Sequence, residues 1–116
     1  MGDMLPEARA IADLLSEHRG IDVLVLDLRS MDAWTDFFVI ATATSTTHLD
    51  GLERHLKEFC AQRDIEILRR SRKPGSSGRT QDLEDDWRIF DLGPAVIHLM
   101  SSRARAFYDL ERLYDH

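Results

Sequence analysis

"DWRIFDLGPAVIHLM", residues 86–100, decides the fold. Gly93-Pro94 separates two short runs rich in aromatic and branched residues. That is hairpin patterning, because glycine takes positive φ freely and proline fixes its own φ. With these two residues as the turn, Leu92 pairs with Ala95, Phe90 with Ile97 and Arg88 with Leu99. On the opposite face Asp91 pairs with Val96, Ile89 with His98 and Trp87 with Met100. One face (Phe90, Leu92, Ala95, Ile97, Leu99) reads as core. The other (Trp87, Ile89, Asp91, Val96, His98, Met100) mixes apolar, aromatic and polar groups. Either a helix covers that mixed face, or part of it awaits a partner. Aromatic and methionine residues beside charge have the composition of interface hot spots. On composition, Trp87 reads either as a sheet plug or as a contact residue.

Upstream of the hairpin, "LPEARAIADLLSEHRG" reads as a helix, with Pro6 in its first turn, Glu7 at the positive end of its dipole and Gly20 past its end. Leu5, Ala8, Ile11, Ala12 and Leu15 form its apolar stripe. "DVLVLDL" (Asp22–Leu28) and "FFVIATAT" (Phe37–Thr44) are strands apolar on both sides, a pattern that predicts cover on both faces. A helix follows, capped by Ser45 or Thr46, with Leu49, Leu52, Leu56, Phe59 and Cys60 inward. "IEILRR" (Ile65–Arg70) is a third strand, and residues 71–81 are a flexible polar loop. Downstream, a last helix starts at Ser101 or Ser102 and turns Phe107, Leu110 and Tyr114 inward. The order α-β-β-α-β-β-β-α predicts an α/β (α+β) fold, a mixed sheet of about five strands with helices packed on it.

The chain has 116 residues, 43% of them hydrophobic, which suits one domain over residues 1–116. No apolar run is long enough to span a bilayer, and the first ten residues lack the layout of a secretory signal. One cysteine allows no internal disulfide and points to a reducing, cytoplasmic setting. The formal net charge is −6, yet residues 65–80 carry five basic groups against one acidic group. An acidic chain is repelled by nucleic-acid phosphate, so a basic protein partner fits better than duplex binding. The basic segment 69–79 (Arg69, Arg70, Arg72, Lys73, Arg79) could touch RNA phosphate or an acidic surface as a minor contact.

Catalytic patterns fail on spacing. Asp22, Asp27 and Asp36 are candidates for metal-assisted phosphoryl transfer. However, Asp22 and Asp27, five apart, fall on opposite faces of a straight strand, and "TSTT" lacks the glycine of a nucleotidyltransferase turn. His18, His48, His55, His98 and His116 show no zinc-ligand spacing. Cys60 lies on an apolar stripe, where a thiol is inert. "KPGSSG" lacks the strand-to-helix setting and the ending of a phosphate loop. These residues predict no catalytic residues, no metal and no cofactor.

"TDFFVIATATSTTHL" resembles the DYFVI-x-T-G-T-S signature of the Iojap family, the ribosomal silencing factors. "DWRIFDLGPAVIHLMSSRARAFYDLERLY" resembles that family's C-terminal signature, and "LDL" at residues 26–28 matches a shorter block. The resemblance spans nearly the whole chain, in the same order. It implies a fold distantly related to nucleotidyltransferases without their catalytic motif, and a non-enzymatic role. The implied partner is ribosomal protein L-fourteen on the large ribosomal subunit. Binding there would obstruct joining of the small subunit and repress translation under nutrient limitation. Some relatives act in large-subunit maturation. Carried over by position, the contact residues are Trp87 and Tyr108, with Asp91, Gly93, Met100 and Arg105 around them. Ala43 stands where the family usually has glycine, and Pro94 where a polar residue is common. The resemblance leaves two alternatives to test, an RNA-contacting maturation factor and a nucleotide-binding enzyme on the same fold. An exposed aromatic patch could also pair two copies as a homodimer when the protein is free.

Overall fold

The structure, a computed structural model, describes residues 4–31, 33–72 and 86–110. Helix α1 (Leu5–Glu17) has Pro6 in its first turn and buries Ala8, Ile11 and Leu15. It ends in a turn in which the Gly20 amide reaches the Leu15 carbonyl at 2.7 Å. That approach leaves no room for a side chain, since a Cβ on Gly20 would lie 2.7 Å from the same oxygen. Strand β1 (Ile21–Asp27) pairs antiparallel with β2 (Phe37–Ala43). Helix α2 (Thr46–Gln62) starts at Ser45, whose hydroxyl accepts the His48 amide, and buries Leu49, Leu52, Leu56 and Cys60. Then come β3 (Arg69–Arg72), β4 (Trp87–Asp91), β5 (Ala95–Ser101) and the short helix α3 (Ser102–Tyr108).

The five strands form one mixed sheet in the order β1-β2-β5-β4-β3. The β2–β5 pair is parallel and the others are antiparallel. The central strands β2 and β5 are buried along almost their whole length, which is why their sequences do not alternate. The hairpin register is the expected one, Trp87 opposite Met100, Ile89 opposite His98, Phe90 opposite Ile97 and Asp91 opposite Val96. Gly93 has φ +94°, the conformation that its turn requires. Pro94 anchors the turn to β2, because its carbonyl accepts the amides of both Asp36 and Phe37 at 3.0 Å.

Helices α1 and α2 close one face of the sheet over Phe37, Val39, Ala41, Phe90, Leu92, Ala95, Ile97 and Leu99. A smaller cluster fills the opposite face: Leu28, Phe38, Ile40, Trp87, Val96, Met100 and Ala104. Three expectations need correction. First, β1 is an edge strand, with Ile21 and Leu24 exposed, so its apolar run does not mean cover on both sides. A bulge between Ile21 and Leu24, with Asp22 at positive φ, breaks its alternation. Second, the third strand begins at Arg69 rather than Ile65, and it continues through residues 71 and 72, which had been assigned to the loop. Ile65 and Ile67 pack against the α1/α2 face without ladder pairing, and the Leu68 amide reaches the Asp91 carbonyl just before the ladder starts. Third, Phe107 points outward. Helix α3 buries Ala104 and ends where Asp109 turns left-handed at φ 47°, so Tyr108, not Phe107, continues the inward side. The rest of the polar loop, residues 73–81, lies outside the described residues, as do Tyr114 and His116.

Candidate partner-binding surface

The surface is organised by the start of the β4–β5 hairpin. The Ser101 amide donates to the Asp86 carbonyl at 2.8 Å. The Ser101 hydroxyl donates to the Asp86 carboxylate at 3.0 Å while accepting the Ala104 amide at 3.0 Å, which caps α3. Arg103 adds an ion pair to the same carboxylate at 2.9 Å. Asp86, the last of the acidic run, therefore fixes where α3 leaves the sheet. Helix α3 then lies over Trp87 from the side opposite the sheet.

Five aromatic rings follow one another across this face. Phe38 meets His98 edge-on at 4.6 Å between centroids, and His98 lies 5.9 Å from Trp87. Trp87 packs against Tyr108 at 4.5 Å, and Tyr108 against Phe107 at 4.9 Å. The row climbs from the core to solvent, with Phe38 buried, Trp87 7% exposed and Phe107 64% exposed. The Trp87 indole N–H donates to His98 Nδ1 at 3.1 Å. Burial lowers the His98 pKa from its ordinary 6.5 to about 4, so the ring is neutral at physiological pH.

The six expected contact residues do not form one continuous patch. Trp87, Met100 and Tyr108 belong to one cluster, but Met100 has no exposed surface and supports it from beneath. Asp91 and Gly93 lie at the far end of β4, about 13 Å along a strand that rises roughly 3.3 Å per residue. There the Asp91 carboxylate accepts the Gly93 amide at 2.8 Å, and Thr35 donates to the Gly93 carbonyl at 2.9 Å. Arg105 turns inward, donating to the Thr42 hydroxyl at 2.8 Å and reaching the Ile21 carbonyl at 3.4 Å, so it ties α3 to β1 and β2.

Sequence reasoning missed two exposed aromatics. Phe107 was assigned to the helix interior. Trp34, 69% exposed, sits in the β1–β2 connection and borders a groove of about 400 Å³ with Arg69, Ile89 and Asp91. A tryptophan between the polar pair Ser30 and Asp32 and the pair Thr35 and Asp36 was the available signal.

The residues weighed for catalysis are held in other arrangements. Asp27 is gripped by Arg29 at 2.7 Å, which lowers its pKa, and Asp22 lies at the other end of β1. Cys60 is buried, which pushes its thiol pKa up. His48 bridges the Thr44 amide and the His18 carbonyl, and His18 stacks on His55 at 3.5 Å. Among the described residues, no helix is long and apolar enough to cross a membrane.

The family model described as ribosomal silencing factor during starvation matches residues 3–116. The chain belongs to the ribosomal silencing factor family. A ribosomal silencing factor of Treponema pallidum is 38% identical over 107 residues, covering 92% of this chain and 88% of its own length. The mouse protein named for mitochondrial assembly of the ribosomal large subunit is 32% identical over 104 residues, covering 90% of this chain and 43% of its own. A crystal structure of a Chromobacterium violaceum protein superposes with TM-score 0.74 at 24% identity, covering 94% of this chain and 84% of that one, a likeness of fold. The silencing factor family takes its description from action on ribosomes, which is not an enzyme class.

Proposed function

We propose that this silencing factor docks on the large ribosomal subunit, at ribosomal protein L-fourteen, through the α3 face of its sheet. Bound there, the body of the domain occupies space that the small subunit needs, and translation falls when nutrients are scarce. The observation that carries the reading is the aromatic row. It sets an exposed Phe107 and a half-buried Tyr108 on a buried Trp87, which is how a hot-spot cluster is built. The net charge of −6 favours encounter with a basic ribosomal protein and steers it at low salt. The mechanism is steric, so it requires no bond to be made or broken. It places the protein with the ribosomes it acts on, in the cytoplasm.

Co-sedimentation with purified large subunits tests the reading. Phe107→Ala and Tyr108→Ala together are expected to abolish binding, and Trp87→Ala to weaken it. If both variants bind like the native chain, the surface is wrong. A role in large-subunit maturation is the second reading, favoured by the name of the mouse relative and by the basic edge strand β3. Deleting residues 71–80 together with Arg69→Ala and Arg70→Ala would abolish particle binding on that reading and reduce it modestly on the silencing one.

A further inference from the structure

We propose that His98 is a positioning residue for the docking surface: its Nδ1 takes the Trp87 indole proton and fixes the ring on which Tyr108 and Phe107 are stacked. The inference rests on the docking reading above and assigns a task to a buried group that the steric mechanism does not otherwise use.

The argument begins with the chemistry of the pair. An indole nitrogen can only donate, so His98 Nδ1 must accept, and the neutral ring carries its proton on Nε2. That Nε2–H is buried and finds no acceptor among the described residues. An unpaired buried donor is unfavourable, and here it lies in a cluster otherwise made of Leu28, Phe38, Ile40, Val96, Met100 and Ala104. An apolar side chain would fill the same space without an orphaned N–H. What an apolar side chain cannot do is hold the indole by its nitrogen.

The geometry shows what is held. His98 is set by β5, opposite Ile89 on one side and paired with Ile40 of β2 on the other. Its ring is braced edge-on by Phe38, 69° between planes. Trp87 lies on the neighbouring strand, with its ring tilted 41° to His98 and 44° to Tyr108. A tryptophan held only by contact can rotate about two side-chain torsions, and a hydrogen bond at the nitrogen leaves one orientation. Tyr108 and Phe107 stand on that orientation, so rotation of Trp87 would be passed to the exposed end of the row.

Burial keeps His98 neutral down to about pH 4, so the acceptor is present throughout the physiological range. The other groups near the ring are Phe38, Trp87 and the apolar cluster, and Tyr108 lies beyond Trp87. The charged side chains at this end of the sheet are Asp86, engaged by Ser101 and Arg103, and Arg105, engaged by the Thr42 hydroxyl.

The test uses the full chain, with three variants and two readouts. His98→Leu removes the acceptor and the orphaned Nε2–H, and takes from the indole N–H its His98 partner. His98→Gln restores an acceptor. Trp87→Phe removes the donor and leaves His98 in place. The first readout is the indole N–H resonance of Trp87, told apart from that of Trp34 by a Trp34→Phe variant. The second is affinity for purified large subunits. In His98→Leu the resonance is expected to move upfield and exchange faster, the unfolding temperature to change little because one unpaired donor replaces another, and binding to weaken about tenfold. His98→Gln should recover most of that binding, and Trp87→Phe should weaken it to a similar degree. A role confined to core packing would instead leave the affinity of the folded chain native and show no rescue by glutamine. Native affinity in both His98→Leu and Trp87→Phe, with Phe107→Ala and Tyr108→Ala still defective, would overturn the positioning role and leave the docking surface standing. Native affinity in every variant would instead remove the docking surface itself.

Discussion

The two faces of the sheet are built from alternating residues of the same strands, yet they are closed in different ways. On one face α1 and α2, of 13 and 17 residues, lie over an apolar layer in which Ile11, Leu15, Leu56, Phe37 and Ile97 have no exposed surface. The other face is covered, among the described residues, by the seven residues of α3 and by the segment after β1. Its layer contains a buried histidine, an indole nitrogen and an orphaned N–H. The first face concentrates contacts that stabilise the fold, and it is apolar except where the buried Arg88 pairs with Asp50 and Glu53 of α2 and leaves its own Nε–H unpaired. The second accepts polar groups in its core and ends in an exposed aromatic. Both faces thus hold a buried polar group, and what sets the second apart, among the described residues, is that its polar pair joins a row of rings that reaches solvent.

The largest effect should come from breaking the apolar face. Leu56→Ala is expected to cost about 3 kcal/mol by denaturant unfolding, from lost burial and the cavity left behind. The folded fraction should still bind large subunits normally, because α2 is on the other side of the sheet. A binding defect in fully folded Leu56→Ala would undo the division between the faces.

The second prediction concerns pH and belongs to the other face. His98 has a pKa of about 4 when folded and about 6.5 when exposed, so between those values the unfolded chain takes up a proton that the folded chain does not. This contribution is fully present above about pH 6.5 and is lost as pH falls toward 4. Roughly 3 kcal/mol depends on it. Subtracting the pH profile of His98→Leu from that of the native chain isolates the effect from the carboxylates. No difference between the two profiles would mean that the ring is not held neutral.

Legibility followed the same division. The hairpin register was readable because Gly93-Pro94 fixes the turn, and a fixed turn fixes every pair from Trp87–Met100 inward. The α1 and α2 stripes were readable because long helices repeat their period several times. Helix α3 was not, because about two turns before Asp109 cannot define a phase, and the spacing that predicts Phe107 inward points it the wrong way. The edge position of β1 was hidden because its apolar residues copy those of a covered strand, and the bulge at Asp22 leaves no mark in composition. Ile65 and Ile67 read as strand because packing without ladder pairing selects the same residues. At the site, the cluster of Trp87 and Tyr108 was legible from the family resemblance. The register puts residue 98 on the diagonal from residue 87 across neighbouring strands, within reach of its indole, but the hydrogen bond itself depends on the ring orientations. The inward turn of Arg105 depends on the Thr42 hydroxyl across the sheet, which no local pattern encodes.

Smaller effects sharpen the comparison at its margins. Gly93→Ala must hold an L-residue at φ +94° and is expected to cost about 1 kcal/mol, measured by thermal unfolding, while moving the Asp91 end of the hairpin but not the Trp87 end. Lys57→Gln removes a surface pair with Glu53 at 3.0 Å and should cost about 0.3 kcal/mol, with binding unchanged. Glu53 keeps its charge through that change. Burial pushes its pKa up, but Lys57 and Arg88 together hold it below the usual range, and Arg88 remains at 3.0 Å.

The central claim is that one face of the sheet meets the large subunit and the other does not. Site-directed photo-cross-linking compares them directly, with a photoreactive phenylalanine analogue placed at Phe107 on α3 or at Arg54 on the exposed side of α2. On purified large subunits the probe at 107 is expected to attach to a ribosomal protein, and the probe at 54 to attach to nothing. Attachment from 54 with none from 107 would place the partner on the face built for stability and would contradict the account.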